Sequence, residues 1–345
     1  MAGGVAALSG IQPGFAEESG AVAMEWGTPY IEASRSMSER FGKLAVNFVP
    51  YEGSAAGVLA KIKATWPNPP FDFVDNWSAV FPALIREGWA QTVSVTDVPN
   101  LADVPEQLIA KDDKGNWKSI PRSKSGAGWG YAKGKSPIEI KKIDDLFSSN
   151  LKGQIALPGP TQNSGLHIVS LALAFGGNER NIDPGFKALA DLAKTGNVGR
   201  VYNVFSEGVA SITSGETSVT FTDASSLNTI AASVPFIPVA QTDSSMKVFL
   251  WTEGWVVLAS SKKKKEIFDL LNFSISPAEA RAFNSAIKAS AANAKAGPIE
   301  GLSWLDIQGD ESFKKFAYVP DFDYLSAQGD AWAKRFEAEI MPLLR

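Results

Sequence analysis

An indole and a carboxylate two residues apart, Trp251 and Glu253, form the sharpest chemical pair in this chain. The carboxylate can neutralise an ammonium group while the indole offers it a cation–π face. The same two residues could instead be a core indole beside a surface carboxylate. Trp26, with Tyr30 a turn later, is either a ligand contact or an ordinary packed indole. Asp75, Asn76 and Trp77 end an expected strand, where Asp75 or Asn76 either reaches a ligand or caps the next helix. Trp129, in the glycine-flanked run Gly126 to Tyr131, reads as an indole exposed to a cleft. Thr161, Asn163 and Ser164 open a helix, and bind a carboxylate or phosphate group or cap that helix. Ser54 sits in a turn and can cap, and Asp223 closes a strand.

Other chemistries lack their residues. There is no Cys, which removes disulfides, thiolate nucleophiles and zinc–thiolate sites, and His167 is the single His. His167 lies one turn inside an apolar helix, where a packed imidazole is expected rather than a catalytic one. No glycine-rich phosphate loop ends in Lys-Ser or Lys-Thr. No cofactor is expected. The 33 Lys and Arg nearly balance the 37 Asp and Glu, for a net charge of -4. Such a surface does not favour nucleic acid. Ten Trp and 20 Phe are a large stock of rings for enclosing a small ligand.

The elements that must position these residues alternate. Ala21 to Trp26, Val46 to Val49 and Phe71 to Val74 read as strands. Tyr30 to Leu44, Ala55 to Thr65 and Ala79 to Glu87 read as helices between and after them. Short βα loops imply a mostly parallel sheet, with ligand-facing loops at the carboxyl ends of the strands. The pattern restarts at Gln154 to Leu157 and again at Val219 to Phe221, so two similar α/β units are expected in 345 residues. Trp251 to Ala259 is a further strand. Ser276-Pro277-Ala278-Glu279 reads as a capping box opening a helix to about Ala294, and Phe322 to Leu344 as a docking C-terminal helix. The Lys262 to Lys265 run is a solvated helix entrance.

No apolar stretch reaches the ~18 to 20 residues of a membrane span. Residues 1–16 are small and apolar and end in Gly14-Phe15-Ala16, which reads as the remnant of a secretory signal or as a flexible Gly/Ala tail.

The order and spacing of several phrases resemble the periplasmic solute-binding proteins (family 1) of bacterial ABC importers, in the branch that takes spermidine, putrescine and other small organic solutes. The carriers are Val98 to Pro105 (VPNLADVP), Leu151 to Gly165 (LKGQIALPGPTQNSG), Asn181 to Phe186, Ser214 to Glu216, and Trp251 to Ser261 followed by the Ser276 helix. The resemblance covers about residues 22–296. It implies a type II two-lobe α/β fold, each lobe a mixed, mostly parallel sheet flanked by helices and joined by a hinge. Residues 20–126 and 249–297 would form lobe 1, and 127–248 and 298–345 lobe 2. It further implies a periplasmic, non-enzymatic, monomeric receptor that hands a small solute to a membrane permease. The phrase at Trp251 to Glu253 is similar to the Trp-x-Asp phrase of polyamine binders, and Trp26 falls where that family sets an aromatic on its ligand. Many relatives carry Asp where this chain has Gly159, a lost charge that Asp223 would replace. Arg122 or Lys124 in the cleft would instead suit a zwitterion such as an amino acid derivative or an aminophosphonate. A hydrolase or transferase of two-lobe fold is the alternative from another class.

Overall fold

The computed structural model describes residues 20–50 and 55–344. Its strands are β1 (Ala21–Glu25), β2 (Val46–Pro50), β3 (Phe73–Trp77), β4 (Ile120–Ala132), β5 (Ile155–Pro158), β6 (Val198–Tyr202), β7 (Val219–Asp223), β8 (Phe236–Pro238), β9 (Val248–Val257), β10 (Ser290–Ala291) and β11 (Ala317–Tyr318). The α-helices are α1 (Tyr30–Phe41), α2 (Ala55–Thr65), α3 (Phe81–Arg86), α4 (Leu166–Ala174), α5 (Asp183–Lys194), α6 (Phe205–Ser214), α7 (Ala224–Ala231), α8 (Lys264–Ser274), α9 (Pro277–Ile287), α10 (Asp310–Phe316) and α11 (Phe322–Glu339).

The sheet runs β2-β1-β3-β9-β4-β7-β5-β6, a mixed α/β arrangement. Two parallel blocks, β2-β1-β3 and β7-β5-β6, flank an antiparallel pair, β9 and β4. Strands such as β1 (AVAME) and β5 (IALP) are almost wholly buried, as helices on both faces of a parallel block require. β4 is the long bridge: Ile120 to Ala127 pair with β9, and Ala127 to Tyr131 pair with β7. That close approach leaves no room for side chains at certain points. A Cβ on Gly126 would lie 2.4 Å from the Phe249 carbonyl oxygen, and one on Gly130 would lie 2.3 Å from the Phe236 ring.

Local signals explain most helix limits. α1 buries Ile31, Ser34 and Met37 and stops where Gly42 turns left-handed at φ 66°, its N–H donating to the Ser38 carbonyl. Two expectations fail on local competition. The Ser276 capping box does not form, because the Ser276 hydroxyl donates to the Phe273 carbonyl and Glu279 pairs with Arg40. α9 ends at Ile287 rather than near Ala294, with Lys288 left-handed at φ 56° and the chain then joining β4 through β10. β4 runs without a break from Ile120 to Ala132.

Candidate functional site

The β3, β9 and β4 strands align their side chains in rows. Trp77 faces Glu253, which faces Ser123, and Trp251 faces Ser125 in the next row. Together with Trp26 from the β1–α1 loop, Tyr30 at the start of α1, Lys124 and Ala289, they line a chamber of about 250 Å³. Trp26 and Tyr30 pack at 6.4 Å between ring centroids. Trp77 and Trp251 both rest on Phe322 of α11, at 5.4 and 5.9 Å. The indoles are half-buried, supported from behind and open on one side.

Beneath this wall lies a buried charge cluster. Arg122, 1% exposed, is held between the Trp255 and Phe283 rings at 4.5 and 3.8 Å. Its guanidinium donates to Glu25, Asp75 and Glu253, at 2.6 Å to Asp75 Oδ2. Three carboxylates around one guanidinium cannot all ionise cheaply, and the pair nearest the chamber splits. Burial, then Glu25 and Glu253, push Asp75 well above the usual carboxylate range against the pull of Arg122. Burial also works against Glu253, but Arg122 and hydrogen bonds from Asp75, Arg122 and Ser123 outweigh it and hold Glu253 below its usual value. The carboxylate that reaches the chamber, with 12% of its side chain exposed, is therefore the ionised one.

A second chamber of about 480 Å³ adjoins the first, sharing Tyr30, Lys124, Ser125 and Ala289. Ser225, Asn228 and Thr229 of α7 and Lys288 complete its polar lining. Lys124 Nζ lies 3.0 Å from Asp306 Oδ1. A hollow of about 990 Å³ near Phe147, Phe175 and Phe186 contains none of the expected site residues and lies beside α5.

The structure therefore brings Trp26, Tyr30, Trp77, Trp251 and Glu253 to one chamber. Asp75 and Asn76 do not line it: both are fully buried, Asp75 on Arg122 and Asn76 accepting the Trp77 N–H, and neither caps a helix. Trp129 is corrected from cleft to core. It is 1% exposed, donates to Ser170 Oγ at 3.0 Å and packs edge-on against Phe221. The neighbouring glycines serve the tight approach of β4 to its partners, not exposure of the indole. Asp223 is likewise a cap, accepting from the Ser225 and Ser226 N–H groups and the Ser226 hydroxyl. Thr161, Asn163 and Ser164 line neither chamber and make no side-chain cap; Asn163 and Ser164 are left-handed at φ 47° and 51° before Gly165 starts α4. Ser54 lies outside the described residues. Sequence reasoning missed Ser123, Ser125, Ala289 and Lys288, and the supporting rings Phe283 and Phe322. Only the strand register, which no local pattern encodes, could have found the serines.

Comparison with known proteins fits this geometry. The profile of the bacterial extracellular solute-binding proteins matches residues 36–302. No curated protein matches the sequence. Solved structures share the fold at low identity. An ABC transporter protein from Clostridium perfringens is 20% identical, with TM-score 0.73 over 93% of this chain and 99% of that one. The spermidine/putrescine ABC transporter substrate-binding protein PotD from Streptococcus pneumoniae, solved with calcium and HEPES, is 16% identical, with TM-score 0.68 over 94% and 98%. A family 1 extracellular solute-binding protein from Bifidobacterium longum subsp. infantis is 14% identical, with TM-score 0.74 over 94% of each chain. Among the described residues no helix is long and apolar enough to cross a membrane. With two parallel blocks bridged by β4 and β9, and a profile match over most of its length, this chain belongs to the bacterial extracellular solute-binding proteins, a family of two-lobe receptors for transport and not of enzymes.

Proposed function

We propose that this protein is the periplasmic receptor of an ABC importer, a monomer that encloses a small amine-bearing organic solute between two lobes and delivers it to a membrane permease. Residues 20–126 and 249–297 form lobe 1, residues 127–248 and 298–345 lobe 2, and β4 and β9 act as the hinge. The observation that carries this reading is the aromatic chamber with one ionised carboxylate, Glu253, on its floor beside three indoles. An ammonium entering it exchanges water for a carboxylate and cation–π faces. A polyamine-like solute fits that end, as the name of the Streptococcus pneumoniae relative suggests for its own ligand. Closure follows from a solute that touches both lobes, since only differential affinity for the closed state shifts the population.

Thermal-shift and calorimetric screening of amines tests the reading. A bound solute at a hundred times its Kd should add about 2.7 kcal/mol of stability. Glu253→Gln and Trp251→Ala should each weaken binding by about tenfold or more, the worth of one charge-assisted contact. Amine affinity that ignores both substitutions removes the chamber from the function.

A further inference from the structure

The two chambers differ in charge. The lining of the first contains Glu253 as its single acid and Lys124, which the two chambers share, as its single base. The lining of the second contains no acid and two lysines, Lys124 and Lys288, with the hydroxyls of Ser125, Ser225 and Thr229 and the Asn228 amide. Two acids beside lining residues are already committed: Asp306 to Lys124, and Asp223 to the α7 N–H groups it caps. Lys124 is 3% exposed and neutralised. Lys288 is exposed, and no ion pair among the described residues engages it. It also stands where α9 ends, in the left-handed conformation at φ 56° that a helix terminus usually assigns to Gly. A cation there gives the second chamber a positive edge that no acidic side chain pairs with among the described residues.

From this polarity we infer that Lys288 is a specificity-determining residue: the solute carries an anionic group opposite its amine, and Lys288 receives that group in the second chamber. The inference rests on the amine reading of the first chamber and narrows it from amines in general to zwitterions. A diamine would place its second ammonium beside Lys288, where like charges repel, whereas a carboxylate or phosphonate gains a charge-assisted hydrogen bond. The Ser125 and Ser225 hydroxyls and the Asn228 amide can donate to the same oxygens, while the Thr229 hydroxyl already donates to the Ser225 carbonyl.

The test is calorimetric titration of the full chain with matched pairs, 4-aminobutyrate against 1,4-diaminobutane and 6-aminohexanoate against 1,6-diaminohexane, with 1-aminobutane as the amine alone. The wild type should favour the amino acid of at least one pair. Lys288→Gln should weaken that amino acid by about tenfold and leave 1-aminobutane unchanged. Lys288→Glu should reverse the preference toward the diamine. Lys288→Gly, which suits the left-handed backbone, should keep or raise the melting temperature while losing the same affinity, so a merely structural role would be exposed. Diamines bound more tightly than amino acids, with affinity lowered by Glu253→Gln but indifferent to Lys288→Gln and Lys288→Glu, would overturn the inference and leave the amine reading standing. Affinities that ignore Glu253→Gln, or no binding by any of the five probes, would remove the amine reading and this inference with it.

Discussion

The two α/β blocks meet the cleft on unequal terms. In the block containing β1 and β3, the segments at the strand ends send Trp26, Tyr30 and Trp77 into the aromatic chamber. In the block containing β5 and β7, together with the part of β4 paired to β7, the equivalent polar and aromatic residues are spent on that side's own packing and caps. Trp129 bonds Ser170 in the core, Asp223 caps α7, and Asn163 and Ser164 are left-handed turn residues before α4. What that block offers the second chamber is modest: α7 hydroxyls and an amide. A strand end near a cleft is thus a necessary position for a ligand contact and not a sufficient one. Local demand for a cap or a buried ring is met first.

Substitutions in matched positions can break or sharpen this contrast. The largest effect is expected from the two indoles. Trp129→Ala should cost about 3–5 kcal/mol of stability in denaturant unfolding, as a fully buried ring does, with solute affinity retained in the folded fraction. Trp77→Ala should do the reverse, lowering affinity by about tenfold at a smaller stability cost. If Trp77→Ala left affinity intact, the asymmetry between the blocks would disappear.

An intermediate effect concerns acid. His167 packs 6.3 Å from Phe221 in the same wall as Trp129. Burial alone pushes its imidazole down from 6.5 to about 3. The unfolded chain then binds the proton that the folded one refuses, so stability falls as pH drops from 6.5 toward 3. His167→Leu should remove that component, worth on the order of a few kcal/mol, without changing affinity at neutral pH. Unfolding curves at pH 7 and pH 4 measure it. An acid loss that survived His167→Leu unchanged would place the sensitivity elsewhere. The smallest effect is at Asp223: Asp223→Ala should cost about 1 kcal/mol, as for other lost helix caps, and leave binding alone. A drop in affinity of tenfold or more would return Asp223 to the site.

Much of this was legible in the chain. Hydrophobic spacing located β1, α1, β3, β5 and β7 to within a few residues, because a parallel strand buried on both faces and an amphipathic helix leave distinct apolar periods. The glycines around Trp129 misled, since a glycine admits either an exposed neighbour or a close backbone, and only the neighbouring strand selects between them. The capping box at Ser276 misled for a similar reason: Arg40, distant in sequence, takes Glu279.

The sequence by itself determined the kinds of group available, with no thiol, one imidazole, many indoles and balanced charge, and through their periodicity the α/β alternation. Only the tertiary structure decided which groups meet. Register across β3, β9 and β4 joins residues separated by more than a hundred positions, and setting Glu253 over Arg122 beside Asp75 determines which carboxylate stays ionised. Pairing and charge state depend on distance and desolvation between remote segments, quantities that no window of sequence contains.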